Sequence, residues 1–120
     1  TEADIGIVRQ RELFDEITRI TGTQPPVIDG RDVLENPRGL LQRLCQTIGV
    51  AWSDNMLSWA QGSRKSDGVW ASHWYQSVWA SSGFEAYQPK LVELSPSARA
   101  LADAMQPHYE AMACHRLRAL

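Results

Sequence analysis

The chain is 120 residues long, 43% hydrophobic and 22% charged, which fits one ordinary globular domain spanning residues 1–120 rather than two. Its formal net charge of −2 and pI near 5.9 come from interspersed acids and bases, so no basic block exists to gather phosphates along a nucleic acid, and nucleic acid is not an expected partner. Cys45 and Cys114 are the only cysteines and neither sits in a metal-spaced pair, which argues for a reducing, cytoplasmic setting, and no apolar run reaches the roughly 20 residues of a membrane span.

Thr1 is not a Met and a helical pattern starts almost at once, so a piece of a longer polypeptide is one expectation. From Ala3 to Thr21 the positions Gly6, Leu13, Phe14, Ile17 and Ile20 share one side of a helical wheel, while Arg9, Glu12, Glu16 and Arg19 share the other. Gly22 stops this amphipathic helix. Pro25-Pro26 forbids helix, and the β-branched pair Val27-Ile28, ending at Asp29-Gly30, predicts one brief strand.

Asn36-Pro37 is a strong helix start, since the Asn side chain can cap free N–H groups and Pro occupies the first position, where no N–H is needed. Leu40, Leu41, Leu44, Cys45 and Ile48 then form an apolar stripe that Gly49 closes. Ser53 or Asp54 caps a short helix through Met56, Leu57 and Trp59, and residues 61–68 read as a polar loop. The stretch from Val69 to Phe84 sets Trp70, Trp74, Tyr75, Trp79 and Phe84 among small and polar residues, and its period fits neither helix nor strand cleanly. Ser95-Pro96 opens a last helix with Ala98, Leu101, Ala102, Met105, Tyr109 and Met112 on one face, and Pro107 should kink or divide it. The elements add up to a mainly α, small helical domain of four to five helices with at most one short strand.

Chemistry-bearing clusters are sparse. His108 and His115 lack the spacing that puts two ligands on one ion, so no metal site is expected. Asp29, Asp32 and Glu35 suit turns and caps better than paired acid–base work, and no local Ser-His-Asp or Cys-His spacing points to a catalytic residue. Trp52 and Trp59 suit burial, whereas Trp70, Trp74 and Trp79 could instead present a stacking face.

Two runs carry a family resemblance. Val27-Ile28, Asp32 with Leu34, Asn36-Pro37, and Leu44, Cys45, Ile48 and Gly49, followed by Met56-Leu57-Ser58-Trp59 and then Arg64-Lys65-Ser66-Asp67-Gly68-Val69-Trp70, resemble the C-terminal part of P-loop sulfotransferases, and of a bacterial sulfotransferase-like subgroup in particular. The resemblance implies a portion of an α/β P-loop fold and 3′-phosphoadenosine-5′-phosphosulfate as the cofactor of the full-length family. It makes Arg64 and Lys65 contacts to the nucleotide's 3′-phosphate, Gly68 a point of close backbone approach and Trp70 a neighbour of that loop. His73 and Trp74 would touch the acceptor. Ser66 stands where the family motif has Gly, and no Gly-rich phosphate loop occurs.

The function so implied is a closing loop in nucleotide binding without catalysis by the chain alone, the missing N-terminal region or a second copy being the partner. The alternative is a stand-alone helical interaction or dimerisation module without enzymatic activity. Either way Leu13, Ile17 or Leu44 would be left with uncovered apolar faces, and the chain should repack as a helical bundle.

Overall fold

A computed structural model describes residues 1–120. The chain forms α1 (Glu2–Ile5), α2 (Ile7–Thr21), α3 (Gly30–Glu35), α4 (Pro37–Ile48), α5 (Ala71–Trp74), α6 (Gln76–Ala80) and α7 (Pro96–Ala113), with a 3-10 turn at Asp54–Met56. The mainly helical expectation holds, with more and shorter helices than the apolar periodicity implies. Gly6 adopts a left-handed φ of 72°, which breaks the first predicted helix into α1 and α2, because an α-helix cannot pass through that conformation.

The cap chemistry read from the sequence is present. Asn36 Oδ1 accepts from the Gly39 N–H at 3.0 Å, Ser53 Oγ from Asn55 at 3.3 Å and Ser95 Oγ from Ala98 at 3.3 Å, each satisfying a donor the helix itself cannot. Asp29 does the same for Arg31 at 2.8 Å and so starts α3, a helix the turn reading of Asp32 and Leu34 does not anticipate. Pro107 does not divide α7, which runs as one element from Pro96 to Ala113.

No sheet forms. Val27 makes an isolated parallel bridge with Arg116, and Ser58 an antiparallel one with Gly83. The predicted strand at Val27-Ile28 is therefore a single pairing, whose partner lies just beyond α7. Leu117 N–H donates to the Val27 carbonyl at 2.8 Å and Leu120 N–H to Gly39 at 3.3 Å, tying the C-terminal tail across α3 and α4.

The bundle expected of the isolated chain does not close. Helix α2 packs on α7, with Phe14 stacked on His115 at 5.6 Å between ring centroids, and α3 sits beside α4. Only seven residues are buried, with Leu40 the one large side chain wholly enclosed. The accessible surface is 9105 Å², against roughly 6,500 Å² for a folded monomer of this mass. The Cα radius of gyration is 17.0 Å, where a compact domain of this length has about 13.6 Å. Of the faces expected to be open, Leu13 and Ile17 on α2 are 45% and 43% exposed, whereas Leu44 on α4 is half-buried.

Candidate functional site

The loop carrying Arg64 and Lys65 is built by two antiparallel arms and one carboxylate. Trp59 N–H donates to the Ser82 carbonyl at 3.0 Å and Gly62 N–H to the Trp79 carbonyl at 2.8 Å. Between them, Gln61 Nε2 donates to the Ala80 carbonyl at 2.8 Å. Trp59 Nε1 reaches Ser81 Oγ at 3.0 Å, and its ring meets Phe84 edge-on at 5.3 Å. The aromatic stretch without a clear period is thus the return arm of a closed loop, in which indole N–H groups bond across the base as buried or half-buried Trp usually must.

Asp67 fixes the tip. Its Oδ2 accepts the Arg64 backbone N–H at 2.7 Å and the Trp79 indole N–H at 2.8 Å, while its own N–H donates to the Arg64 carbonyl at 3.0 Å. The Arg64 N–H, then the Trp79 indole, hold the Asp67 carboxyl below its ordinary range, with the Arg64 charge adding to the effect. One side chain therefore closes the turn on both sides. Gly62, at φ 99°, supplies the left-handed residue. A Cβ at Gly68 would meet nothing within 4 Å, so the chain's own fold does not demand glycine there.

This scaffold leaves Arg64 and Lys65 exposed, and neither is in an ion pair. One guanidinium nitrogen of Arg64 leans on the Ala60 carbonyl at 3.3 Å. The Gly68 carbonyl accepts from Ala71 at 3.0 Å, and the Trp70 carbonyl from His73 at 3.0 Å and Trp74 at 3.2 Å, so α5 begins directly off the loop. Trp70 and His73 lie 6.1 Å apart ring to ring. Trp70 is 69% and Trp74 74% exposed, whereas Trp52, Trp59 and Trp79 are half-buried. The loop thus joins the two cations to the Trp70–His73–Trp74 turn.

A planar guanidinium fork and an ammonium point charge, both exposed, are the side-chain types that engage anionic oxygens. No Gly-rich loop of backbone donors is present in the chain.

Sequence reasoning missed the role of Asp67 and Trp79. An acid three residues after Arg64 and next to Gly68 is a readable turn signal; an indole twelve residues further on is not. It also missed a second polar cluster, at the start of α3. Tyr109 Oη donates to Asp29 Oδ2 at 2.5 Å, Arg116 Nε to Asp32 Oδ2 at 2.9 Å, and Arg118 stands 3.8 Å from Asp32. These acids pin α7 and the tail to α3 through residues some 80 positions away.

Comparison with known proteins places most of the chain in one family. The family described as Sulfotransferase domain matches residues 1–116. Two proteins of Arabidopsis thaliana are similar: Branched-chain-amino-acid aminotransferase-like protein 2, 26% identical over 112 residues covering 93% of this chain and 20% of that protein, and Branched-chain-amino-acid aminotransferase-like protein 1, 32% identical over 83 residues covering 69% of this chain and 15% of that protein. The chain thus spans a fifth or less of these relatives. No solved structure matches. On the match over residues 1–116, the chain belongs to the sulfotransferase domain family.

Proposed function

We propose that this chain is the C-terminal, phosphate-gripping part of a sulfotransferase-like domain, in which Arg64, Lys65, Gly68 and Trp70 close over the 3′-phosphoadenosine end of a nucleotide. His73 and Trp74, on the turn that follows, face the acceptor. The observation that carries this is an exposed Arg64-Lys65 pair in which neither cation is in an ion pair, on a loop stapled by Asp67. In this reading the cofactor is 3′-phosphoadenosine-5′-phosphosulfate, used in a cytoplasmic setting and supplying the sulfuryl group when bound. The chain alone is not catalytic, because transfer needs donors around the moving group that only a polypeptide bearing the phosphate-binding loop could add. The aminotransferase in the relatives' names is not carried over, since this chain covers so little of either protein.

Calorimetric titration of adenosine 3′,5′-bisphosphate at low salt tests the reading. Binding by the unaltered chain that vanishes in the Arg64→Ala, Lys65→Ala double variant supports it; no heat at millimolar ligand overturns it.

A second reading, a helical interaction module that forms a homodimer and has no enzymatic activity, is favoured by a different observation: the uncovered apolar face of α2.

A further inference from the structure

Asp67 is the only acidic residue between Asp54 and Glu85, and it stands three positions from Arg64 and two from Lys65. Arginines elsewhere in the chain form ion pairs at such short spacing. On α2 and α3 every arginine is paired with an acid three or four residues away: Arg9 with Glu12, Arg11 with Asp15, Arg19 with Glu16 and Arg31 with Glu35. Arg64 and Asp67 form no ion pair. Their separation calls for a restraint on the two side chains.

Both are restrained. Asp67 Oδ2 is taken up by two neutral donors, the Arg64 backbone N–H at 2.7 Å and the Trp79 indole N–H at 2.8 Å. One guanidinium nitrogen of Arg64 is turned back to the Ala60 carbonyl at 3.3 Å. The backbone donor alone leaves the carboxylate free to turn about its side-chain torsions within the loop tip. The indole comes from the opposite arm, 12 residues on, and fixes its direction.

The Arg64 N–H and then the indole lower the Asp67 pKa, and the Arg64 charge lowers it further, so the cation lies within electrostatic reach of a carboxylate with which it does not pair. The turn itself is relaxed. Asp67 N–H donates back to the Arg64 carbonyl at 3.0 Å, and neither Lys65 nor Ser66 between them has a positive φ, so the serine in place of the motif's Gly adds no backbone strain. Release of Asp67 would change the loop's chemistry without unfolding it: the carboxylate would offer Arg64 an internal partner, which an incoming anion must displace.

We infer that Trp79 is a positioning residue for the Arg64-Lys65 pair: its indole N–H holds the Asp67 carboxylate on the backbone of the turn and off both cationic side chains, which leaves them to an incoming phosphate. The phosphate is that of the nucleotide-loop reading, on which this inference rests. The indole restraint itself is present without a ligand and can be read without one.

The unaltered chain, Trp79→Phe, Asp67→Asn and the double variant test this in two measurements. Phe keeps a ring on the return arm and leaves the Gly62 N–H bond to the backbone carbonyl at position 79 in place. Nitrogen-edited NMR of the Arg64 guanidinium reads the restraint with no ligand present. In Trp79→Phe the Arg64 Nε–H should move downfield and exchange more slowly with solvent as Arg64 and Asp67 pair, and in the double variant it should not.

Calorimetric titration of adenosine 3′,5′-bisphosphate at low salt reads the consequence. Trp79→Phe should weaken binding about 5-fold while Asp67 is present, the scale of competition from one exposed ion pair. In the Asp67→Asn background the same change should leave affinity within about 2-fold, since no charge remains to compete. An Arg64 signal unmoved by Trp79→Phe overturns the inference, as does an equal loss of affinity in both backgrounds, which a purely structural indole would give. No heat from the unaltered chain overturns the nucleotide reading instead, and the Arg64 signal still decides the restraint.

Discussion

The α2–α3–α7 frame and the loop from Ser58 to Gly83 are held by opposite means. The frame joins residues far apart in the chain, through Phe14 on His115, Tyr109 on Asp29 and Arg116 on Asp32, yet it encloses almost no apolar volume. The loop has no core of its own either, but it is closed by bonds between its two arms: two indole N–H groups, a glutamine amide and one carboxylate. Long-range tethers without a core leave a frame whose stability depends on whatever covers it. A loop stapled locally keeps its shape whether or not the frame is covered, and the exposed cations sit on the loop.

The comparison breaks most visibly at Leu40. It lies on α4, beside α3, and is fully buried, so Leu40→Ala should cost about 3 kcal/mol, a large share of what so open a molecule can hold. Urea denaturation followed by dichroism at 222 nm should show the helices losing cooperativity, while the Trp79 indole resonance keeps its folded shift.

Arg116→Ala comes next. Both partners of the Arg116–Asp32 pair are mostly shielded, at 27% and 20% exposure, and the variant leaves a half-buried carboxylate with only the more distant Arg118. A loss of about 2 kcal/mol is expected in the same denaturation experiment, because the charge-assisted bond from Arg116 to the shielded Asp32 carboxylate is removed.

How much of this was legible in the sequence follows from range. Asn36-Pro37, Ser95-Pro96 and the α4 stripe depend on residues within one or two turns of each other, and they stand as read. The Arg64-Lys65 loop was legible as a motif and as a polar turn. Its closure was not, since Trp79 bonding to Asp67 needs the return arm, and an aromatic stretch with no dominant period does not announce one. Asp29 and Asp32 were readable as cap and turn residues because an Asx cap is local; their tethers to Tyr109 and Arg116 are tertiary. The open core was readable only in part. The uncovered α2 face was expected, but closure into a bundle fails because α2 packs on α7 and α4 packs beside α3 as separate pairs.

The frame should also be sensitive to acid. The Tyr109 hydroxyl, more than any other group, holds the Asp29 carboxyl below its ordinary value of 3.8, against the opposing effect of burial. A carboxylate with a lowered folded-state pKa contributes stability that is present above the ordinary value and lost as pH falls through the folded one. Tyr109→Phe should therefore narrow the stability difference between pH 7 and pH 3, by about 1 kcal/mol or less for an exposed pair, as read from urea midpoints at the two pH values. Asp67→Ala has the corresponding effect on the loop, speeding Trp79 indole hydrogen exchange several-fold with little change in the helical midpoint.

The smallest expected effect on folding is at the residues proposed to act. Trp70 is 69% exposed and its bonds to α5 run through its carbonyl, so Trp70→Ala keeps the backbone contacts and should change stability by no more than about 0.5 kcal/mol. Its ring is largely in solvent, 6.1 Å from the His73 ring. On the proposed nucleotide-loop reading, Trp70→Ala weakens adenosine bisphosphate binding about 10-fold, at the scale of one lost aromatic stacking partner, and unfolding curves overlay. A variant that unfolds early would instead place Trp70 in the frame's missing core, and the division between a locally stapled loop and an uncovered frame would have to be redrawn.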